Sequence, residues 1–330
     1  MASTSLEAER VRRGLGRLAR NTRDLLLPKQ VPRRPASSIG ALEFVRDFVA
    51  ASQPLVLTDL PVQDWPCLER WTEAYLLEQV GDPEVSVNVT PNGLGDFVDE
   101  QGRFVKPLEE RLRFRDFWGQ LQGSFSQTAA APRSNGVPYL SRQNDSLRDE
   151  LPQLMRDVPP AVSLGVEAFG NEPEAVNLWV GDSRAVSSCH KDHYENLYMV
   201  VQGEKVFTLL PPAAAPFLHE QLYLAAHFER GRSCGDWETV LDSPSERVPW
   251  IPLDVAAPDL ALYPDFAFAP VVEAWLVQIL NRLRRAKFDK FEDLIVAIRE
   301  DGDFCKEALD EPSFADFKAD SFFAAGEGKL

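Results

Sequence analysis

The sequence is poor in cysteine and histidine, with four of each in 330 residues. The cysteines are scattered and include no Cys-x-x-Cys pair, so we expect reduced thiols in an intracellular protein. No apolar run approaches the roughly 18 residues that a membrane-spanning helix needs. The sequence also contains no Gly-x-Gly-x-x-Gly, no phosphate-binding P-loop and no Gly-x-Ser-x-Gly. These absences argue against the common nucleotide-binding and serine-hydrolase patterns.

The composition is that of a globular protein with an acidic surface. Hydrophobic residues make up 44% and charged residues 26%, and 35 basic against 51 acidic residues give a net charge of −16. A protein of this charge is not built to coat nucleic acid. We therefore expect neither direct nucleic-acid binding nor membrane insertion.

The N-terminal segment differs in charge from the rest of the chain. Residues 1–34 hold nine Lys/Arg and three Asp/Glu. The Thr4-Ser-Leu-Glu7 sequence reads as a capping box, and Val11, Leu15 and Leu18 recur at helical spacing. The pattern favours a first helix; an Arg-rich transit peptide is the alternative, although Glu7 is acidic where such peptides avoid acid. We divide the chain into a helix and linker (1–35), a main domain (36–268, with core strands over about 139–268) and a helical tail (269–330).

The middle of the chain indicates short strands between turns. We predict strands at 177–181, 194–202 and 206–210, with Gly203-Glu204 as a hairpin turn. Short antiparallel strands beneath a helical layer are typical of a barrel or a double-sheet jelly roll, so the predicted fold is mainly β. The alternating, β-branched Val85–Val89 predicts a further strand. We also predict helices over 273–288 and 291–299, and we interpret the charged, amphipathic stretch 108–121 as a helix with a solvated face, with Phe114, Phe117 and Trp118 packed inward.

One stretch, residues 187–198, combines the residue types of a metal site. Because side chains alternate across a strand, His190, Asp192, Tyr194, Asn196 and Tyr198 share one face if the backbone is extended. An imidazole and a carboxylate on one face are two corners of the two-histidine, one-carboxylate triad that holds non-haem Fe(II). An isolated His-x-Asp is more often a simple hydrogen-bonded pair, so the surrounding sequence has to decide between such a pair and a metal site.

Lys205 supplies that context. It lies fifteen residues after His190, just past the predicted hairpin turn, inside the sequence Gly203-Glu-Lys205-Val-Phe-Thr-Leu-Leu-Pro-Pro212. Burying a lysine without a partner is costly, and a ligand with a carboxylate would supply one. The alternative is an edge-strand lysine that reaches solvent.

At this point the sequence resembles a known family, the small Jumonji-C (JmjC) hydroxylases of the cupin superfamily. The resemblance covers residues 5–268 and is closest to the lysyl-hydroxylase branch that acts on developmentally regulated GTP-binding proteins. It rests on Val85–Pro91, Asn177-Leu-Trp179, His190–Tyr198, Gly203-Glu-Lys205 and Val248–Asp254. It implies a double-stranded β-helix core with an N-terminal helical layer and a helical tail.

The resemblance also implies the site residues. His190 and Asp192 would be Fe(II) ligands, with no catalytic residue beyond the metal ligands. Lys205 would pair with the distal carboxylate of the cosubstrate 2-oxoglutarate. The remaining cosubstrate-binding residues implied are Ser187, Asn196, Tyr198 and Tyr139.

The activity implied is Fe(II)- and 2-oxoglutarate-dependent protein hydroxylation, with a lysyl side chain of a translation-associated GTPase as the substrate. A cytoplasmic or nuclear location is implied, and a homodimer is left open. Two other functions stay open: a non-catalytic binding protein on the same scaffold, and a divalent-cation-dependent endopeptidase acting on histone tails, as assigned to relatives. No protease constellation is evident in the sequence.

The second histidine of the triad is missing. The family supplies it eighty to a hundred residues after the first, whereas this chain has no histidine after His227. Three interpretations remain: a mispredicted gene model or alternative transcript from about residue 270, a genuine pseudoenzyme, or a rewired metal site. For the third, His193 faces away from His190 on an ideal strand, and we predict that His219 and His227 lie in a solvent-facing loop. Cys189 should point to the opposite face from His190 and pack in the core.

Overall fold

The computed structural model describes residues 2–25, 30–126, 136–232 and 236–277. The helices are α1 (Ala2–Leu25), α2 (Ala41–Phe44), α3 (Cys67–Arg70), α4 (Glu73–Val80), α5 (Phe114–Ser126), α6 (Ser146–Glu150) and α7 (Ser163–Phe169). A π-helical turn, Val45–Val49, continues α2. Short 3-10 helices span Ala36–Ser38, Val62–Asp64, Pro152–Asp157, Pro212–Phe217 and Pro264–Phe268.

Strands outnumber helices in the described part of the chain. They are β1 (Arg33–Pro35), β2 (Val56–Thr58), β3 (Glu84–Thr90), β4 (Leu94–Gly95), β5 (Phe97–Val98), β6 (Arg103–Lys106), β7 (Leu108–Arg113), β8 (Val137–Tyr139), β9 (Val186–Ser187), β10 (Glu204–Leu209), β11 (Gln221–Arg230), β12 (Trp237–Leu241), β13 (Arg247–Trp250) and β14 (Val272–Val277). The predicted mainly-β architecture is confirmed.

A three-stranded antiparallel sheet, β7-β3-β8, is the centre of the largest core cluster. Val85, Val87 and Val89 of β3 are at most 1% exposed. Phe114 and Phe117, on the inward face of α5, pack in the same cluster, as the sequence predicts. Burial of these apolar side chains holds the sheet and the helical layer together, since each contributes about 1.5–3 kcal/mol.

One buried carboxylate in this region joins three elements. Asp157 is fully buried and accepts hydrogen bonds from Arg70 (2.9 Å), Trp71 (3.1 Å) and Tyr75 (2.7 Å). Burial alone would raise the pKa of Asp157, but the hydrogen bonds from Tyr75, Arg70 and Trp71 lower it overall. The group therefore stays ionised and fixes the Pro152–Asp157 turn to α3 and α4.

A second sheet has the order β12-β11-β6-β5, with β13 also paired to β11. The long strand β11 pairs in parallel with β6 and antiparallel with β12 and β13. The predicted N-terminal helix is confirmed as α1, whose Ala19 packs against Phe217, Ile251 and Phe266.

The segment predicted as a strand at 194–202 is not one. Within the described residues it forms no ladder, and the 177–181 segment contributes a single bridge between Val180 and Leu140. Gly203 does adopt the turn conformation, with φ of 81°. The strand that follows it, β10, pairs instead with β14, Lys205 opposite Leu276. A strand forms only where a neighbouring strand shares its backbone hydrogen bonds. The neighbour of β10 is β14, and residues 194–202 have no such partner among the described residues.

Two predicted helices are wrong in part. Residues 273–277, the start of the helix predicted over 273–288, lie in strand β14, and the rest of the two predicted tail helices, from 278 onward, lies outside the described residues. Residues 108–113 form strand β7, whose exposure alternates residue by residue, before α5 begins at Phe114. In both stretches, pairing with a neighbouring strand overrides a pattern that reads as helical. The proposed division at residues 35 and 268 stays a prediction.

Candidate functional site

The His-x-Asp segment begins beside a short parallel strand pair. Strand β9 pairs with β4, placing Ser187 opposite Gly95. The next residue, Ser188, donates its hydroxyl proton to the backbone carbonyl of Asp96. Asp96 adopts a left-handed backbone conformation, with φ of 54°. The segment therefore enters the site from a fixed starting point.

His190 and Asp192 meet, as the alternation of side chains predicts. The Nε2 atom of His190 lies 3.5 Å from Oδ1 of Asp192. The other ring nitrogen, Nδ1, lies 2.8 Å from the backbone carbonyl of Ser188. Because a carbonyl only accepts, Nδ1 carries a proton, and Nε2 faces the carboxylate of Asp192.

The second oxygen of Asp192 is also held. Its Oδ2 accepts a hydrogen bond of 2.8 Å from the side-chain amide of Asn196. The sequence predicts that Asn196 lines the cosubstrate pocket, and the structure places its amide on Asp192. Asn196 thus orients the carboxylate so that Oδ1 remains directed at His190.

These two side chains fit a divalent metal as two ligands. An unprotonated imidazole nitrogen and a carboxylate oxygen repel each other unless a cation or a proton lies between them. Bonds to a transition metal are roughly 2.0–2.2 Å, so donors 3.5 Å apart can reach one ion. In the described part of the chain, no group of three His, Cys, Asp or Glu side chains could hold a metal. The donor set fits Fe(II) in kind, and it is one ligand short of the triad.

The other histidines do not supply that ligand. His227 lies inside strand β11, not in the predicted loop, and its ring is placed between two carboxylates: Nδ1 is 2.7 Å from Asp242 and Nε2 is 3.1 Å from Glu229. Residues Leu224–His227 pair in parallel with β6, which explains why this stretch is a strand. His219 does lie in the turn before β11, but its Nε2 is buried instead of facing solvent.

The predicted cosubstrate residues Lys205, Tyr139 and Tyr198 form a second cluster. The ammonium of Lys205 lies 5.7 Å from the centre of the Tyr139 ring. Tyr198 packs edge-on against Phe207, with ring centres 4.9 Å apart. Gly181 lies directly behind Tyr139, because a Cβ atom there would be 2.5 Å from the ring. The Tyr139 ring therefore lies beside the ammonium of Lys205, and Tyr198 packs on Phe207, two residues further along β10.

The Lys205 ammonium has no anionic partner among the residues that the structure describes. Burial lowers the pKa of Lys205 and raises the pKa of Tyr139 and of Tyr198. The two phenols are therefore neutral donors near pH 7, and the lysine is a partly desolvated cation. This combination of one cation and neutral hydroxyls is suited to a carboxylate ligand.

Ser187 is exposed, and no contact in the described structure joins it to Lys205. Nor does any hydrogen bond, ion pair or ring contact of the described residues link the His190–Asp192 pair to the Lys205–Tyr139 cluster. The roles predicted for Ser187, Asn196 and Tyr198 stay predictions. Cys189 is half-buried and packs against the core cluster that contains Ala19 of α1, as the sequence predicts.

Sequence reasoning missed two residues that contact His190. The ring of Trp250 lies nearly parallel to the imidazole, with centres 6.0 Å apart and an interplanar angle of 14°. The carbonyl of Ser188 receives the Nδ1 proton. Trp250 does belong to the Val248–Asp254 sequence that carries the family resemblance. The sequence therefore indicated that this residue belongs to a family motif, but not that it contacts His190.

Comparisons with known proteins identify the class. A model of the cupin-like domain matches residues 41–279. The human "Bifunctional peptidase and (3S)-lysyl hydroxylase JMJD7" is 41% identical over 271 residues, 82% of this chain and 81% of its own length. JmjC domain-containing protein E of Dictyostelium discoideum is 33% identical over 72% of this chain and 70% of its own, and lysine-specific demethylase JMJ32 of Arabidopsis thaliana is 36% identical over 72% and 67%.

This chain is therefore a cupin-like protein with a jelly-roll core. Within that class it belongs to the JmjC family, as the resemblance indicates. Among the described residues, no helix is both long and apolar enough to cross a membrane.

Proposed function

We propose that this chain binds 2-oxoglutarate and Fe(II) as a JmjC protein hydroxylase, with a lysyl side chain of a GTP-binding protein as the substrate. The name of the human relative, a (3S)-lysyl hydroxylase, supports the reaction class. The observation that carries the proposal is the pairing of His190 Nε2 with Asp192 Oδ1 at 3.5 Å. The GTP-binding substrate rests on the sequence resemblance.

The residues have separate tasks in this proposal. His190 and Asp192 would hold the metal, and Lys205 would bind the distal carboxylate of 2-oxoglutarate while Tyr139 excludes water from one side of the ammonium. When bound, Fe(II) supplies the oxygen activation by which 2-oxoglutarate is decarboxylated to succinate and a target C–H bond is hydroxylated. The protein contributes binding, orientation and protection of the site.

We further propose that this chain turns over slowly, because only two protein ligands converge among the residues that the structure describes. One ligand fewer weakens metal binding and leaves the open positions less firmly fixed relative to the substrate. A small misplacement at a reacting centre costs around a hundredfold in rate. If this chain binds 2-oxoglutarate with little turnover, the alternative function of a non-catalytic binding protein on the same scaffold stays open.

Peptidase chemistry through a cysteine is not favoured by the described thiols. Burial, together with the nearby charge of Asp157, raises the pKa of Cys67 to about 12, and burial raises the pKa of Cys189. Both therefore stay protonated near pH 7 and are poor nucleophiles.

The test measures binding and turnover separately on the full chain. Calorimetry should show 2-oxoglutarate binding that Lys205→Ala weakens, and metal binding that His190→Ala and Asp192→Ala abolish. Succinate formation and the mass increase of one oxygen atom on a lysine peptide should be about a hundredfold slower than for the human relative assayed beside it. Absence of 2-oxoglutarate binding overturns the proposal, and turnover equal to that of the relative overturns the slow-turnover part.

A further inference from the structure

Ser188 lies at the meeting point of three hydrogen bonds next to the proposed metal ligand. Its hydroxyl accepts a hydrogen bond of 3.0 Å from the indole Nε1 of Trp250 and donates to the backbone carbonyl of Asp96. Its own carbonyl accepts the Nδ1 proton of His190 at 2.8 Å. The hydroxyl thus uses its proton and a lone pair on two fixed groups, so it has no freedom to rotate.

Trp250 is fixed as firmly as the serine. It is the last residue of β13 and lies opposite Gln221 of β11, so its backbone belongs to the second sheet. One face of the indole packs against buried Phe104, with ring centres 4.5 Å apart. The indole also lies nearly parallel to the imidazole of His190, at 6.0 Å and 14°. The sheet therefore orients the tryptophan, and the tryptophan limits the orientation of the histidine.

We propose that Ser188 and Trp250 are positioning residues that hold the Nδ1 proton of His190 on the Ser188 carbonyl and direct Nε2 at Asp192 before any metal binds. The proposal rests on the function proposed above, in which His190 is a metal ligand. Partners that hold the second nitrogen of a ligating histidine fix its tautomer and ring orientation. The indole N–H acts indirectly, by holding the serine whose carbonyl receives the imidazole proton.

This arrangement matters more here than in a site with three ligands. With His190 and Asp192 as the converging side chains, metal affinity depends on each already having the correct orientation. Asn196 performs the same task for Asp192, at 2.8 Å. Loss of such supporting contacts reduces metal affinity by about 10- to 100-fold.

The experiment uses the full-length protein and Co(II) alone as the probe. Nitrogen-15 NMR of the histidine rings at about pH 8, above the usual pKa of 6.5, reports which nitrogen carries the proton in the metal-free protein. Calorimetry then gives the Co(II) affinity. The variants are Ser188→Ala, Ser188→Thr and Trp250→Phe, which keeps an aromatic ring and removes the N–H. The matched control is Ser183→Ala, at an exposed serine in the preceding turn.

We expect Nδ1 of His190 to carry a proton in the unaltered, metal-free protein. Ser188→Ala and Trp250→Phe should give a mixture of tautomers and weaken Co(II) binding by about 10- to 100-fold. Ser188→Thr should restore both properties because it keeps the hydroxyl, and Ser183→Ala should change neither. The signals of His227, which is held by other carboxylates, serve as the internal control for an intact fold.

Two results would overturn the inference: an Nε2–H tautomer at His190 in the metal-free protein, or unchanged tautomer and Co(II) affinity in folded Ser188→Ala and Trp250→Phe variants. If the unaltered protein binds no Co(II), the metal-binding part of the proposed function fails. The NMR measurement still decides whether Ser188 and Trp250 set the tautomer, so the two failures are distinguishable.

Discussion

Replacing Lys205 by alanine tests the predicted cosubstrate site directly. The substitution removes a half-buried ammonium that lies 5.7 Å from the Tyr139 ring centre and has no anionic partner in the described structure. A hydrogen bond to a charged group contributes about 1.5–3 kcal/mol. At 1.4 kcal/mol per decade, the dissociation constant of 2-oxoglutarate should therefore rise roughly 10- to 150-fold.

Calorimetry on a series of substitutions separates charge from shape. Lys205→Met keeps the length of the side chain without its charge and should lose as much affinity as Lys205→Ala. Lys205→Arg keeps the charge and should lose less. Lys106→Ala, which removes an ammonium held at 2.6 Å by Asp242, is the matched control and should leave the affinity unchanged.

The pH dependence gives a second, independent readout. Because burial lowers the pKa of Lys205 from 10.5, the ammonium is lost as pH rises through that lowered value. Binding of 2-oxoglutarate should therefore weaken at a pH below 10.5 in the unaltered protein and persist in Lys205→Arg. Equal affinity of the unaltered and alanine proteins, or equal losses in the alanine and arginine variants, would refute the assignment of Lys205 as the anchor.

Three further predictions concern the surroundings of the site. Gly181→Ala should weaken 2-oxoglutarate binding in calorimetry, because the added Cβ would lie 2.5 Å from the ring of Tyr139 and force it to move. Asp157→Ala should lower the free energy of unfolding in urea by about 1–3 kcal/mol for each buried donor that it leaves without an acceptor. The hydrogen bonds that His227 donates, above all to Asp242, raise its pKa above 6.5, so this contribution to stability is complete below pH 6.5 and is lost as pH rises through the raised value. His227→Gln should therefore flatten the pH dependence of Tm above pH 6.5, while an unchanged profile would contradict the role of this ion pair.

The local sequence pattern was sufficient to predict the elements that pair with segments close in sequence or that are fully buried. The alternation of valines in Val85–Val89 predicted β3, and the aromatic spacing predicted that Phe114 and Phe117 are buried. The two-residue spacing of His190 and Asp192 likewise predicted that their side chains meet, and they do so although the segment forms no regular strand.

The elements that the sequence could not predict depend on distant partners. Residues 194–202 have the composition of a strand, but composition does not show which segment would receive their hydrogen bonds. Val272–Val277 pairs with β10 across more than sixty residues of chain, a choice set by the neighbouring strand and not by helical periodicity. His227 was misplaced for the same reason, since its strand is defined by its pairing with Lys106 and Val240.

The orientation of the two proposed ligands does not depend on a further histidine. His190 is held by the Ser188 carbonyl and the Trp250 ring, and Asp192 is held by the Asn196 amide. None of these contacts involves a third metal ligand. The ordering of both donors is therefore completed by folding, and a metal bound by these two side chains alone, as in the proposed function, would have one protein bond fewer than in the triad without either donor being released. Because Lys205 is positioned by other contacts, cosubstrate binding should not depend on a third metal ligand, which is why binding and turnover have to be measured separately in this protein.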